Sequence, residues 1–330
     1  MVPSRWPHAS VGDYGRLSSV GNARLPKTLG LTQKRMPHLG SLRCWFIIIQ
    51  QTLEDCEMLS MRDIAGQRIL ITGASSGIGA ALAQNLARQG ARVIVSARRQ
   101  DRLQSVVQNL QQEGLVAHMV PMDVRDPDQV TASVPQAAQI FGGLDILINN
   151  AGIAYFGEVS SISPTSLKDL IDTNIYGVIY TTQSAVSYLA ESHGMVVNLS
   201  STLSKRALPL LTLYAGTKSM VNALSDGLRV ELRHYSIHVL NYCAPETETE
   251  LHDNSLHDSN HPLPSPRRHR AAPDVVARHI IRAIRQERRE VVANAGFVWM
   301  ARLMPNVVDT IAYRRIMLPY WREPPHHSGS

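Results

Sequence analysis

The chain has 330 residues, of which 44% are hydrophobic, 18% charged and 5% aromatic, and its formal net charge is +6. That length accommodates one α/β domain of about 250 residues plus extensions, and no apolar run reaches the roughly 18–20 residues of a membrane span. The three cysteines are too few for a disulfide framework and lack metal-site spacing, and their small number fits a reducing cytoplasmic compartment. A positive net charge alone does not indicate a nucleic-acid partner.

Residues 1–60 are predicted to be an extension without fixed structure. They are rich in arginine and lysine, with Asp13 as the single acid before Glu54. Two alternatives stay open, a transit-type leader and a basic segment that lies on a membrane surface. Translation that starts at Met58 or Met61, just before the first predicted strand, is a further alternative.

From Gly66 onward, apolar runs of strand length alternate with segments of helical spacing. The predicted strands, in chain order, are GQRILITG, ARVIVSARR, AHMVPMDV, LDILINNAG, MVVNLSS and IHVLNYCAP. The third intervening helix contains Pro135, where it could shorten or kink. Strands separated by helices of crossover length predict an α/β fold, a Rossmann-type doubly wound parallel sheet with helices on both faces. A helix and a short strand are expected over Pro273–Val292.

Three parts of the chain are therefore predicted. They are the extension of residues 1–60, a Rossmann-fold domain over 61–295 with a substrate lid at 246–272, and an amphipathic helical extension over 296–330. Within the lid, the segment of residues 252–270 is rich in His, Pro, Ser and Arg, which is typical of a mobile loop.

The first strand ends in the glycine-rich turn TGASSGIG, Thr72–Gly79, which leads directly into a helix. At such a turn, the pyrophosphate of a dinucleotide meets a helix N-terminus, and glycines let the backbone approach the phosphates. The candidate contacts in this turn are Gly73, Ser75, Ser76, Gly77, Ile78 and Gly79.

The end of the second strand indicates which cofactor binds. A carboxylate there would accept a hydrogen bond from the adenosine 2′-hydroxyl of NAD. This chain instead has Arg98 and Arg99, whose guanidinium groups suit the 2′-phosphate of NADP(H). Asp123 is placed to reach the adenine amino group. Further candidate contacts after the third and fourth strands are Val124, Asn150, Ala151 and Gly152.

Ser201, Tyr214 and Lys218 form a candidate catalytic group. Tyr214 and Lys218 lie four positions apart at the start of a predicted helix and so share one face, while Ser201 ends the fifth strand. All three converge at the carboxyl edge of a parallel sheet. Because a phenol ordinarily has a pKa near 10, we expect a nearby ammonium, helped by the positive charge of an oxidised nicotinamide, to lower the pKa of Tyr214.

Together, TGASSGIG, NNAG ending at Gly152, Asn174 in NIYG, Ser201 and the pair Tyr214 and Lys218 resemble the short-chain dehydrogenase/reductase family. The resemblance covers roughly residues 66–245. It implies that Tyr214 exchanges a proton with a carbonyl or alcohol oxygen to which Ser201 hydrogen-bonds. It also implies that Lys218 holds the nicotinamide ribose and that Asn174 fixes a proton-relaying water.

The same resemblance implies a homo-oligomer built through the helices Ile171–Ser192 and Tyr214–Tyr235. In the family, the sixth strand is usually followed by Pro-Gly and then a threonine that contacts the nicotinamide carboxamide. Here the segment reads Pro245-Glu246, so Glu246 must adopt a conformation that glycine eases or the loop takes another path. Pro245, Thr247 and Thr249 are the candidate cofactor contacts in it.

The Pro-acid-Thr-acid-Thr pattern is similar to that of ketosphinganine reductases, and the start of a capped helix is an equally weighted interpretation. Apolar neighbours follow Ser201 and the fourth strand, which favours a lipophilic ketone or secondary alcohol. They are Ile153, Tyr155, Phe156, Ala207, Leu208, Pro209, Leu210, Leu211 and Leu213.

The leading hypothesis is an NADP(H)-dependent oxidoreductase that interconverts a lipophilic ketone and a secondary alcohol. Reduction of a 3-ketoacyl or ketosphingoid lipid is the alternative within this class, and a catalytically silent cofactor-binding sensor or scaffold is the alternative outside it. Residues 297–321 suit either an amphipathic segment in peripheral membrane contact or a helix that packs on the core or another subunit.

Overall fold

The computed structural model describes residues 61–253, 255–257 and 270–318. They belong to one compact unit, Leu59–Ser330. The predicted extension of residues 1–60, residues 258–269 of the predicted lid and residues 319–330 lie outside the described part. The three-part division therefore stays a prediction.

Seven parallel strands form one sheet in the order β3-β2-β1-β4-β5-β6-β7. The strands are β1 (Arg68–Thr72), β2 (Arg92–Ser96), β3 (Ala117–Met119), β4 (Ile146–Asn149), β5 (Met195–Ser201), β6 (His238–Ala244) and β7 (Glu290–Val292). The order reverses between β1 and β4, which opens a crevice beyond their carboxyl ends. The predicted fold class is confirmed, although β3 is shorter than its apolar run, since only Ala117–Met119 is a strand paired with β2.

Helices connect the strands and cover the sheet. They are α1 (Gly77–Arg88), α2 (Gln100–Gln112), α3 (Pro127–Phe141), α4 (Pro164–Ile171), α5 (Gly177–Glu191), α6 (Thr212–Glu231), α7 (Glu250–Asp253), α8 (Pro273–Arg285), α9 (Ala295–Leu303) and α10 (Pro305–Ala312). Helix α3 begins where the Asp126 side chain accepts hydrogen bonds from two backbone N–H groups, and it ends at Gly142. Pro135 does not end it. The helix and strand expected over Pro273–Val292 are α8 and β7.

Most of the core within the described residues lies in two apolar layers, one on each side of the sheet. Along β1, Ile69 and Ile71 belong to one layer and Leu70 to the other, and all three are buried. Helices α1 and α8 complete the first layer, whereas α3 and α5 complete the second. Burial on both faces explains why β1 reads as a continuous apolar run rather than an alternating one.

Hydrogen bonds of Arg62 join the start of this domain to the end of α8. The backbone N–H of Arg62 donates to the carbonyl oxygen of Arg285 at 2.8 Å, and its Nε donates to Glu287 at 2.9 Å. No helix within the described ranges is long and apolar enough to cross a membrane.

Candidate active site

A cleft of about 2430 Å³ opens beyond the carboxyl ends of the strands. Its walls include the catalytic candidates Ser201, Tyr214 and Lys218. The predicted cofactor contacts that line it are Gly73, Ser75, Ser76, Gly77, Ile78, Arg98, Arg99, Asp123, Val124, Asn150, Ala151, Gly152, Pro245, Thr247 and Thr249. Gly79 and Asn174 are the predicted site residues absent from this lining.

The glycine turn presents backbone N–H groups at the start of α1, and Thr249 packs against it at Gly77. Gly77 has φ +57°, and a Cβ there would lie 2.8 Å from Cγ2 of Thr249. Ser76 precedes α1 without a side-chain hydrogen bond to its first turn, so the N–H groups at this helix start are available to an anion. A pyrophosphate fits this arrangement. A Cβ on Gly79 would lie 2.5 Å from the carbonyl oxygen of Gly73, so Gly79 serves the packing of the turn.

Hydrogen bonds hold the two walls of the crevice together. Oγ1 of Thr72, the last residue of β1, accepts from the backbone N–H groups of Asn150 and Ala151, each at 3.1 Å. The Asn150 amide donates back to the carbonyl oxygens of Thr72 and Gly73, at 2.9 and 3.0 Å. Asn150 is therefore a wall residue whose side chain is committed to the glycine turn.

The two predicted phosphate-binding arginines differ in their surroundings. Arg98 is exposed at the cleft. Arg99 donates to Oγ of Ser75 at 3.1 Å and to Oγ of Ser76 at 3.0 Å, and it pairs with Glu250 at 2.8 Å. The guanidinium of Arg99 thus lies directly against the glycine turn.

Asp123 is held by a neighbour that sequence reasoning did not consider. Arg125 donates to both of its carboxylate oxygens, at 3.1 and 2.8 Å, and pairs with Asp169 as well. Burial acts to raise the pKa of Asp123, but the hydrogen bonds and charge of Arg125 outweigh it and hold the pKa below its usual value. Asp123 is consequently an ionised acceptor at the cleft.

Tyr214, Lys218 and Ser201 meet where α6 starts beside the end of β5. Nζ of Lys218 donates to the carbonyl oxygen of Leu199 at 2.9 Å and lies 6.0 Å from the centre of the Tyr214 ring. Oγ of Ser201 accepts from the N–H of Leu203 at 3.2 Å. The neighbouring Ser200 points elsewhere, since its hydroxyl donates to the carbonyl oxygen of Lys218 at 3.0 Å.

Burial controls the protonation of the catalytic pair. It raises the pKa of Tyr214 to about 12, although a hydrogen bond with Ser201 opposes the shift. It lowers the pKa of Lys218 to about 8. The lowered tyrosine pKa expected from the sequence depends on the ammonium and on the charge of an oxidised nicotinamide; without cofactor, the loss of solvation exceeds what neighbouring groups provide.

Asn174 lies in a five-residue π-helical turn, Asp172–Tyr176, between α4 and α5. Its Oδ1 accepts from the N–H of Ile153 at 2.9 Å, and its Nδ2 donates to the Ile153 carbonyl at 2.9 Å and to Thr217 at 3.0 Å. A Cβ on Gly152 would lie 3.3 Å from both Oδ1 of Asn174 and Nζ of Lys218. Asn174 therefore lies beside the lysine with its side chain buried, and the water that the resemblance assigns to it stays a prediction.

The loop after β6 follows a path that ordinary residues adopt. Glu246 is not among the described residues with positive φ, so it does not replace a glycine in a strained conformation. Its carboxylate accepts from Arg270 at 3.1 Å, and Thr247 forms a parallel bridge to Ala271. These contacts direct the loop towards the start of α8.

The part of the cleft near Tyr214 is largely apolar. Of the predicted pocket residues, those that line it are Ile153, Phe156, Leu208, Pro209, Leu210 and Leu211, whereas Tyr155, Ala207 and Leu213 do not. Leu210 is buried with φ +66°, a conformation that costs a leucine about 1–2 kcal/mol and that the sequence did not reveal.

The lining also includes Arg282, Arg288 and Arg315, which sequence analysis missed because they come from α8 and beyond.

A glycine turn at the reversal of a parallel sheet, with a serine, tyrosine and lysine at the neighbouring strand ends, defines an oxidoreductase that uses a nicotinamide dinucleotide. The model of the family described as short chain dehydrogenase matches residues 67–260. The chain belongs to that family, which confirms the resemblance.

Curated relatives carry only general names. An uncharacterized oxidoreductase of Staphylococcus haemolyticus is 32% identical over 196 residues, which are 59% of this chain and 84% of the relative. One of Staphylococcus aureus strain N315 is 34% identical over 183 residues, 55% of this chain and 78% of the relative. These names give the reaction class and no substrate.

Solved structures share the fold. A short chain dehydrogenase from Burkholderia cenocepacia in complex with NADP is 29% identical, with TM-score 0.61, and the match covers 70% of this chain and 95% of that one. An alcohol dehydrogenase from Thermococcus sibiricus complexed with 5-hydroxy-NADP matches with TM-score 0.62 at 24% identity, over 69% and 95% of the chains, and supports the fold alone.

Proposed function

We propose that the protein is an NADP(H)-dependent oxidoreductase that interconverts a lipophilic ketone and a secondary alcohol. The observation that carries this proposal is the position of Ser201, Tyr214 and Lys218 at the apolar part of the cleft, beside the glycine turn. The bound cofactor supplies or accepts the hydride. The residues of the chain bind the substrate oxygen and move the proton.

Each catalytic residue has one task in this proposal. Tyr214, whose pKa burial raises to about 12, is protonated at neutral pH and so is ready to donate its proton to a carbonyl oxygen. Ser201 accepts from the Leu203 N–H, which leaves its own hydroxyl proton for Tyr214 or the substrate oxygen. Lys218 has its Nζ beside Gly152, where it would hold the nicotinamide ribose of a bound cofactor.

The preference for NADP(H) rests on Arg99 and Arg98 at the end of β2. A guanidinium that already binds Ser75 and Ser76 is well placed for a 2′-phosphate on the same side of the turn. The Burkholderia cenocepacia relative was solved with NADP, which agrees with this choice. Arg99→Ala should reduce kcat/KM for NADPH at least about ten-fold and leave that for NADH nearly unchanged. Arg88→Ala, which removes an exposed ion pair outside the cleft, is the control.

The substrate class follows from the lining near Tyr214. Ile153, Phe156 and Leu211 carry no polar side-chain group, so an alkyl or aromatic ketone suits this wall. Reduction of a 3-ketoacyl or ketosphingoid lipid is the narrower alternative. A panel of aliphatic, aromatic and lipid ketones, followed by NADPH absorbance, distinguishes them.

The Tyr214→Phe variant tests the whole proposal. It should lower kcat by about 10²–10⁴-fold while NADPH fluorescence still reports binding within about two-fold of the parent. If the variant reduces ketones at the parent's rate, the assigned mechanism is wrong. If the parent binds NADPH but turns over nothing in the panel, the catalytically silent sensor becomes the better interpretation.

We infer a cytoplasmic enzyme that contacts an anionic membrane surface through α9 and α10. Trp299, Leu303, Val307 and Ile311, spaced four residues apart, are 66%, 73%, 51% and 50% exposed. Arg302 is exposed among them, which adds attraction to anionic lipid. Vesicles containing phosphatidylserine should sediment the protein, and neutral vesicles should sediment less. The double variant Trp299→Ser/Leu303→Ser should lose this binding, whereas Val159→Ser, an exposed valine elsewhere, should keep it.

We propose a homo-oligomer that forms through α5 and α6. On α6, Val230 is 74% exposed and Met220 43% exposed, and such residues leave an apolar face for a second copy. Light scattering of the purified protein should give a multiple of the monomer mass. Val230→Glu should shift that mass towards the monomer.

A further inference from the structure

Glu250, the first residue of α7, lies between Arg99, which lines the cofactor end of the cleft, and Arg102, which lies next to the cleft on α2. One of its carboxylate oxygens accepts from Nη1 of Arg99 at 2.8 Å, and the other pairs with Arg102 on the first turn of α2. The two arginines lie 151 and 148 residues before Glu250 in the sequence. Glu250 therefore fastens the loop after β6 onto the end of β2.

A carboxylate between two guanidinium groups resembles a phosphate in charge and in hydrogen-bond geometry. Arg99 also binds Ser75 and Ser76, so the pair lies on the same side of the glycine turn where the proposed function places the 2′-phosphate. The hydrogen bonds from Arg99 and Arg102 lower the pKa of Glu250, which keeps it ionised at neutral pH. An anion of this chain thus occupies the arginines that a cofactor anion would use.

The neighbouring residue extends the contact to the turn itself. Cγ2 of Thr249 lies 2.8 Å from where a Cβ on Gly77 would be, so the segment that carries Glu250 also covers the start of α1. A cleft with this segment in place is narrowed at the phosphate end. Movement of Glu250 away from Arg99 and Arg102 would carry Thr249 with it.

We propose that Glu250 competes with the 2′-phosphate of the cofactor for Arg99 and Arg102, and that it thereby sets both the affinity for phosphorylated cofactors and the position of the loop. This inference rests on the proposed use of NADP(H). When the 2′-phosphate enters, Arg99 and Arg102 exchange a carboxylate for a phosphate, and the Glu250 side chain turns to solvent. Arg102 is then a specificity-determining residue together with Arg99.

The exposure of these groups limits the size of the effect. The side chains of Arg99, Arg102 and Glu250 are 41%, 47% and 33% exposed, so water and salt weaken the competition. Removal of the Glu250 charge should therefore tighten binding of 2′-phosphorylated nucleotides by about three- to ten-fold at low salt. Nucleotides without this phosphate do not compete for the arginines, so their affinity should stay the same.

The experiment measures dissociation constants of Glu250→Gln for four probes, namely NADPH, NADH, adenosine 2′,5′-bisphosphate and ADP, by fluorescence and calorimetry. We expect tighter binding of NADPH and the bisphosphate only. The proposal is overturned if Glu250→Gln binds NADPH and the bisphosphate no more tightly than the parent does. It is also overturned if the variant binds all four probes more tightly by the same factor. Glu113→Gln is the matched control, because Glu113 pairs with Arg88 and does not line the cleft.

Arg102→Ala provides an independent test. It should weaken binding of adenosine 2′,5′-bisphosphate in the otherwise unchanged protein, and it should remove most of the gain when it is combined with Glu250→Gln. A gain that persists in the double variant would show that Arg102 takes no part. The proposed cofactor preference fails separately, since a parent enzyme that prefers NADH would contradict it whatever Glu250→Gln does to the phosphate probes.

Discussion

The side-chain amide of Asn174 donates a hydrogen bond of 3.0 Å to Oγ1 of Thr217, the residue that immediately precedes Lys218. Both side chains are buried, and the same amide group also binds both backbone groups of Ile153. The π-helical turn is thus attached to α6 beside the catalytic lysine. Thr217 is a positioning residue that sequence reasoning did not identify.

Thr217→Val should separate this positioning role from general stability. The valine has the same shape but leaves one Asn174 N–H without an acceptor, which should cost about 1–2 kcal/mol in the free energy of unfolding. If Asn174 and Lys218 shift, kcat should fall about ten-fold and its pH profile should move, with little change in KM for NADPH. Denaturant unfolding and steady-state kinetics measure the two effects.

Thr182→Val is the matched control. Thr182 is buried and accepts a 3.1 Å hydrogen bond from the Asn149 amide, but it does not line the cleft. This variant should lose similar stability and keep its pH profile. The same kinetic loss in both variants would argue against a special role for Thr217.

Lys218→Met should stabilise the protein while it removes activity. Burial lowers the pKa of Lys218 from the usual 10.5 to about 8, so the folded state pays for an ammonium that the unfolded chain solvates freely. The variant should gain as much as ~3 kcal/mol in the free energy of unfolding at pH 7. Denaturant titrations measure this gain.

The sign of the pH dependence follows from the same shift. From pH 8 to about pH 10 the unfolded chain holds a proton on Lys218 that the folded protein has lost, so the parent becomes more stable relative to Lys218→Met and the gain shrinks. Lys168→Met, which removes an exposed lysine, should show no such trend. A gain that stays constant up to pH 10 would contradict the assigned pKa.

Arg68 and Asp145 should make the domain sensitive to acid. Two guanidinium hydrogen bonds, of 2.9 and 2.6 Å, and the N–H of Arg68 bind the Asp145 carboxylate. Burial acts to raise the pKa of Asp145, but these bonds outweigh it and lower the pKa below its usual value. The stabilisation is therefore complete above about pH 4 and is lost as the pH falls through the lowered pKa.

Asp145→Asn should lower the free energy of unfolding at pH 7 by about 2 kcal/mol and should lose this acid-dependent part. Thermal unfolding between pH 7 and pH 3 gives both quantities. Asp226→Asn, which breaks an ion pair whose carboxylate is 72% exposed, should change stability little at any pH. If Asp145→Asn and the parent lose stability in parallel below pH 4, the pair does not control the acid response.

Gly77→Ala should weaken cofactor binding more than its backbone strain explains. Both Gly77 and Gly114 have positive φ, at +57° and +76°, so alanine costs each about 1 kcal/mol. At Gly77 the new Cβ would also press on Thr249, whereas nothing lies within 4 Å at Gly114. We expect an approximately ten-fold higher Kd for NADPH in Gly77→Ala alone. Equal affinities in the two variants would show that the Thr249 contact has no effect on binding.

The sequence predicted the sheet and most of the cleft because local signals and parallel topology determine them. β-Branched apolar runs, glycine stops and the turn Thr72–Gly79 each act over a few residues, and the carboxyl ends of parallel strands must share one edge. Once β5 and α6 were assigned, Ser201 and Tyr214 had to meet. The same reasoning placed Arg99 beside the turn.

What the sequence did not predict depends on contacts between distant residues. No periodic pattern in the sequence indicates these features. They are the ion pair Glu250–Arg102, the positive φ of Leu210 and the hydrogen bond between Asn174 and Thr217. The raised pKa of Tyr214 in the protein without cofactor was missed for a related reason. Proximity to Lys218 is visible in the spacing, but the burial that outweighs it is a property of the assembled core.

The tie between Arg62 and Glu287 bears on how the domain is made on a ribosome. Residues near the start of the domain acquire these partners only after α8 has been synthesised and has left the exit tunnel. Strand β6 likewise exposes an open edge until β7 emerges. For most of its synthesis the nascent chain is therefore an incomplete sheet, and a chain that stops before residue 285 should be a substrate for chaperones and proteases rather than a smaller enzyme.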